Sequence, residues 1–402
     1  MTASDLENRY GAHNYKPLEV VIARGDGVWL WDTEGRRYLD CMSAYSAVSL
    51  GHGHPRILKA LTEQAQKVAV ISRAFRSDVL GQFLETLCQR SGFDMALPMN
   101  SGAEAVETAI KAARRWGYDI KGIAADKAEI IVADNNFHGR TTTIVGFSSD
   151  ADYRRGFGPF TPGFRSVPFG NAKALEQAIT PETAAVLIEP IQGEAGIILP
   201  PPGYLRAVRA ACDKHNVLLI LDEIQSGLCR TGRWFAFEHE GIRPDGMTLG
   251  KALGGGVLPV SAFVARREVM EVFTPGSHGS TFGGNSLAAA VGLEALRVMA
   301  DEQLADQSAH LGQRMLDRLN RIRSPLIREV RGRGLWVGVE LDGNLTSGRR
   351  MVEEMMRLGV LSKETHETVV RLAPPLVITE SELDWGLDQF EDALHRLERS
   401  AA

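Results

Sequence analysis

The sequence predicts an α/β fold: a mostly parallel central sheet in a large domain, with a smaller α+β domain beside it. Three observations carry this. Short apolar, β-branched runs recur at Glu129–Asp134, Ala184–Ile188 and Val217–Leu221 with no polar alternation, as in strands buried on both faces. Helical segments such as Pro202–His215 lie between them, giving repeated βα units and therefore parallel strands. The last two runs also close on acids, at Glu189 and at Asp222-Glu223, where open α/β sheets place their ligands.

Taken in order, the chain begins with an arm and a hairpin, Val28–Asp32 and Arg37–Asp40, joined by a turn at Thr33–Arg36. His52 and His54 alternate like metal ligands, but no third ligand is in reach, so a polar turn ahead of a helix from about Pro55 to Ala69 is the better reading. After the apolar Met95–Leu97, Ser101 and Glu104 form a capping box that opens a helix through Trp116. Most capping boxes bind nothing, yet exposed amides beside Gly102 and Ala103 make a ready phosphate site. The run 129–134 then leads to Asn136-Phe137-His138-Gly139-Arg140. Phe137 offers a flat ring for stacking and Arg140 a planar fork for a carboxylate. Gly279–Asn285 is a glycine-rich turn with two hydroxyls, Ser280 and Thr281. A helix from about Leu287 to Ala300 leads into a C-terminal region with strands in 327–341 and 369–375 and a closing helical stretch. The expected division is an N-terminal arm and hairpin (1–50) belonging to the small domain, a large domain (51–286) and the C-terminal small domain (287–402).

Composition narrows the function classes. A chain of 402 residues that is 44% hydrophobic can bury a large core. A net charge of −5 and pI near 6.1 argue against nucleic acid or an anionic membrane as partner. The scattered Cys41, Cys88, Cys212 and Cys229 suggest neither a disulfide framework nor a metal site, and fit a reducing compartment. No signal peptide or membrane-spanning run is read, so a cytoplasmic protein is expected. Gly332-Arg333-Gly334 is not a dinucleotide fingerprint, because Gly338 comes one position too late. Gly250-Lys251 is not a Walker motif, with Asp245 and Ala252 at the required Gly and Ser/Thr positions.

The stretch from Val217 to Lys251 organises the rest. It delivers Asp222 at a strand end, then Gln225, Thr231-Gly232-Arg233, and Lys251 among small residues that let other groups approach closely. Singly, a strand-end Asp is often a cap and a Lys before glycines often a solvated loop residue. Together they suit pyridoxal phosphate chemistry, in which a lysine amine condenses with the aldehyde and an acid keeps the pyridine nitrogen protonated. Leu221–Gln225, Thr231–Arg233 and Gly250–Leu253 resemble the core motifs of the class III (ω-) aminotransferases. Within that class, Gly11–Tyr15, Ser43–Val48, Gly156–Phe160 and Arg371–Leu376 are similar to members that act on the δ-amine of ornithine.

The resemblance implies a fold-type I pyridoxal-phosphate transferase with Lys251 and Asp222 as catalytic groups. Ser101, Gly102, Ala103, Phe137 and Gln225 would complete the cofactor site, with Ser280 and Thr281 reaching a neighbouring subunit's phosphate in a homodimer. L-Ornithine and 2-oxoglutarate or glutamate are the implied substrates, held by Tyr15, Tyr45, Arg140 and Arg371. Glu194 is expected to cover Arg371 in one half-reaction and leave it in the other; an ordinary ion pair is the plainer alternative. Acetylornithine, 4-aminobutyrate or another ω-amine is the competing substrate class, against which Tyr15, Tyr45 and Glu194 argue. His138 replaces the aromatic found there in some relatives, and its role stays open.

Overall fold

The computed structural model describes residues 1–401. Its large sheet has seven strands: β1 (Met95–Met99), β2 (Glu129–Ala133), β3 (Phe164–Val167), β4 (Thr183–Ile188), β5 (Leu218–Asp222), β6 (Gly246–Leu249) and β7 (Ser261–Ala265). Their spatial order is β1-β7-β6-β5-β4-β2-β3. From β6 to β3 all pairings are parallel, and β7 runs antiparallel to both of its neighbours. This is the α/β architecture that the apolar runs predict.

The same runs show why the sheet is buried on both sides. Ile130, Val132, Ala185, Leu187, Leu218 and Ile220 face one core, shared with Val106, Ile110, Ala113 and Trp116 of the helix Gly102–Asp119. Their alternates Ile131, Val186, Ile188, Leu219 and Leu221 face the other core, with Val208 and Cys212 of the helix Tyr204–Lys214. A period of two therefore divides each strand between two packed layers. Each Val, Leu or Ile among them, fully buried, contributes about 1.5–3 kcal/mol.

Two smaller sheets complete the fold. One has the order Ile327–Gly332, Val337–Leu341, Val369–Leu372, Lys363–Thr365, with antiparallel pairings. The other joins Ile22–Asp26, Trp29–Asp32 and Arg37–Asp40 to Val360–Leu361, which lies parallel to Arg37–Asp40. The N-terminal hairpin is thus stitched to the C-terminal part of the chain. Trp29 reinforces the join: its ring centroid lies 5.3 Å from that of Trp385, and its Nε1 donates to Glu382 at 2.9 Å.

The sequence reading missed the helix Ala3–Tyr10 and the strand Ile22–Asp26. The helix has a capping box at Thr2 and Asp5 but buries no residue, so it carries no apolar stripe to read. His52 and His54 are held by acids, at 2.8 Å from Asp40 and 3.0 Å from Glu302. Gly332-Arg333-Gly334 is the tight link of an antiparallel hairpin, closed by Arg333 N donating to Trp336 O at 3.0 Å.

Candidate active site

Five strands of the large sheet aim their carboxyl ends at one place. β1 leads to Ser101, β2 to Phe137 and His138, β4 to Glu189, β5 ends at Asp222, and β6 leads to Lys251. A cavity of about 200 Å³ opens there, lined among others by Gly102, Ala103, Phe137, Gln225, Asp222 and Lys251. Sequence reasoning named all six.

Asp222 is buried and fully engaged. Its Oδ2 lies 2.6 Å from His138 Nδ1, while Oδ1 accepts from Thr248 Oγ1 at 3.0 Å and from Ile224 N at 3.1 Å. Burial disfavours charge on His138, but the hydrogen bond and charge of Asp222, with Glu189 nearby, raise its pKa above the ordinary value. Glu189 is itself buried and pushed up to about 7; its carboxylate accepts from Phe137 N at 3.0 Å and Gly193 N at 3.1 Å. Glu189 therefore ties the loop of Phe137 to the loop that carries Glu194.

Lys251 opens a short 3-10 turn with φ 45°. Burial pulls its amine below the usual lysine range, against the opposing charges of Glu194, Asp222 and Glu189. A buried lysine with a lowered pKa has the chemistry that a nucleophile or base needs.

A second cluster sits beside the cavity and comes from distant parts of the chain. Arg371, on the strand Val369–Leu372, donates through Nη1 to Glu194 Oε1 at 2.7 Å. The Tyr45 ring lies over Arg371, with the guanidinium carbon 4.8 Å from the ring centroid. Arg140 is exposed and stacks on Tyr153 at 3.8 Å and on Phe137 at 5.6 Å. Tyr15 is 77% exposed on the N-terminal arm, close enough to Tyr45 to influence its ionisation.

The family model described as aminotransferase class-III matches residues 10–394. The chain belongs to this family. An ornithine aminotransferase of Brevibacillus brevis is 55% identical over 96% of this chain and 96% of its own length. A structure of the ornithine aminotransferase of Toxoplasma gondii, described as holding PLP at partial occupancy in its active site, aligns with TM-score 0.98 and 44% identity, covering 99% of this chain and 94% of that one. The acetylornithine aminotransferase of Elizabethkingia anophelis aligns with TM-score 0.89 and 44% identity over 98% of both chains, so the fold alone does not choose between amine substrates.

As a class III aminotransferase the chain should hold pyridoxal phosphate, and its donor set fits. The Ser101 hydroxyl accepts from Glu104 N and the Glu104 carboxylate from Ser101 N, yet the amides of Gly102 and Ala103 have no partner among the described residues. Ser101 O accepts from Ser261 Oγ at 2.7 Å, which fixes this helix start, and free amides at such a start suit an anion. A Cβ at Gly193 would lie 2.0 Å from Gln225 Oε1, so the glycine keeps Gln225 beside the cavity. Ser280 Oγ accepts from Asn100 Nδ2 and Gly283 N, both at 3.0 Å, and Thr281 is exposed. Three site groups escaped the sequence reading. Nothing marked Tyr153 in its polar surroundings, Glu189 read only as the end of a strand, and His138 had no assigned partner. A residue next to a stacking ring, two strands from an acid of opposite charge, was the available signal for His138.

Proposed function

We propose that this protein moves the δ-amino group of L-ornithine to 2-oxoglutarate by way of pyridoxal phosphate. The products are glutamate and glutamate 5-semialdehyde, which cyclises to pyrroline-5-carboxylate. The observation that carries the substrate is Arg371 held by Glu194 at 2.7 Å beneath the Tyr45 ring, while Arg140 has no carboxylate partner among the described residues. An arginine already neutralised does not draw the α-carboxylate of ornithine to the reacting end. High identity to proteins named ornithine aminotransferase supports the same reading.

Bound pyridoxal phosphate makes the C–H bond beside the reacting amine acidic and carries the amino group between substrates. Asp222 would keep its ring nitrogen protonated, and His138 keeps Asp222 aimed by a 2.6 Å hydrogen bond. Gln225 serves the ring hydroxyl, Phe137 the ring face, and the Gly102 and Ala103 amides the phosphate. Burial lowers the pKa of the Lys251 amine, which favours its acting as a base. Its Nζ removes a proton from the δ carbon of ornithine. Tyr15 and Arg140 hold the α-amino and carboxylate end, and Tyr45 shapes the space between. In the second half-reaction Glu194 leaves Arg371, which then takes the α-carboxylate of glutamate while Arg140 takes the γ-carboxylate. Serving two substrates of different charge in one pocket requires such an exchange of partners.

The exposed Thr281 belongs, in this reading, to a homodimer in which each subunit completes its neighbour's phosphate site. Four free cysteines accord with a cytoplasmic setting, and no helix among the described residues is long and apolar enough to cross a membrane. The test mixes the cofactor-loaded enzyme with L-ornithine and no oxo acid, following cofactor absorbance with a chemical trap for pyrroline-5-carboxylate. N-Acetylornithine and 4-aminobutyrate run in parallel. Fast bleaching and trapped product with ornithine alone are expected; faster bleaching by either competitor would overturn the substrate assignment.

A further inference from the structure

Arg230 is fully buried, yet among the described residues no carboxylate bonds to it. Its fork is spent on neutral oxygens. Nη1 donates to Leu335 O at 2.9 Å and Pro374 O at 2.6 Å, and Nη2 to Ser49 Oγ at 2.8 Å and Ser43 Oγ at 3.4 Å. Burial pulls the guanidinium down to about 9, and its Nε finds no partner. So costly a placement of a cation calls for a task that a neutral side chain could not do.

The acceptors show the task. Ser43 and Ser49 bracket the turn that presents Tyr45, in which Ser43, Ala44, Tyr45 and Ser46 all have positive φ, from 43° to 74°. Both hydroxyls are relays: Ser43 Oγ donates onward to Ala373 O at 2.7 Å, and Ser49 Oγ to Ser46 O at 2.9 Å. Pro374 follows Arg371 by one turn of chain, on the same strand exit. One guanidinium thus grips the Tyr45 turn at both ends and the segment leaving Arg371. The turn also touches the cofactor side of the cavity, since Tyr45 O accepts from Gln225 Nε2 at 3.5 Å.

We infer that Arg230 is a positioning residue for amine selectivity: it holds the Tyr45 turn and the Arg371 strand in register, so that the Tyr45 ring stays over the Glu194–Arg371 pair. Lysine in its place keeps the charge but lacks the planar fork, and cannot serve acceptors on both segments at once. The effect falls on the carboxylate pocket rather than on Lys251 or Asp222, whose positions depend on the large sheet. This rests on the ornithine reading above.

The test compares the two half-reactions of the cofactor-loaded enzyme, with ornithine and with glutamate as amino donor, in wild type, Arg230→Lys and Ser49→Ala. The ratio of the two kcat/KM values is independent of the fraction of correctly folded enzyme, so lost stability alone does not move it. Arg230→Lys is expected to lower the ornithine-to-glutamate ratio roughly tenfold, the scale of a small displacement of a substrate-positioning group. Ser49→Ala should shift it in the same direction by less, and carries the test alone if Arg230→Lys is insoluble. A ratio within twofold of wild type in the soluble variants overturns the inference, whatever happens to the melting temperature. Wild-type enzyme that does not react with ornithine would instead refute the functional reading, and this inference with it.

Discussion

At the scale of single residues, the decisive arrangement is a buried acid held by a buried histidine whose pKa it raises. Asp222 receives three hydrogen bonds, and the shortest comes from His138 at 2.6 Å. Because the pKa of His138 is raised in the folded protein, its contribution to stability is fully present below the unfolded value of 6.5. It is lost as pH climbs through the folded value. A charge-assisted hydrogen bond contributes about 1.5–3 kcal/mol. His138→Gln should therefore melt a few degrees below wild type, about 3 °C, at pH 6 in the cofactor-free protein. The gap should narrow as pH rises from 6 through the raised folded value. Melting curves across that range check the claim, and a gap that does not vary with pH would count against it.

Among the elements, the Tyr45 turn is the most costly backbone feature. A non-glycine residue in the left-handed region costs roughly 1–2 kcal/mol, and this turn has four in succession. Its supports must be stiff, and the hairpin that packs against Arg230 is one. Gly334 in that hairpin has φ 60°, and a Cβ there would lie 2.5 Å from Thr231 C and 2.6 Å from Arg230 O. Gly334→Ala should cost about 3 kcal/mol, combining backbone strain with overpacking. Gly35→Ala is the control: φ there is 81°, but nothing lies within 4 Å of the added methyl, so about 1–2 kcal/mol of backbone strain is the whole effect. Denaturation midpoints of the two variants measure the difference. Equal losses would show that the close approach at Gly334 is unimportant.

Over the whole molecule, three parts of the chain meet beside one cavity: the large sheet and its loops supply Lys251, Asp222 and Glu194, the C-terminal sheet Arg371, and the N-terminal segment Tyr45. The large sheet was legible because its strands are apolar on both faces and end in polar groups that share one edge. The capping box at Ser101 and the lysine among glycines were legible for a local reason, since each signal lies within a few residues. The grip of Arg230 was not. Its acceptors lie between Ser43 and Pro374, and backbone carbonyls carry no sequence signature. The left-handed turn was hidden likewise, because Ser-Ala-Tyr-Ser contains no glycine to announce positive φ. Tyr153 and the partnership of His138 appear only once the loops after β2 and the end of β5 are brought together.

The central claim is that the Glu194–Arg371 pair, which bridges two sheets, decides which end of the donor meets Lys251. The most direct measurement is the half-reaction of Glu194→Ala with glutamate and with ornithine, each without an oxo acid. Uncovering Arg371 should raise the glutamate-to-ornithine ratio of kcat/KM about tenfold, or about 1.4 kcal/mol of discrimination. An unchanged ratio would reduce the pair to an ordinary structural ion pair and contradict the account.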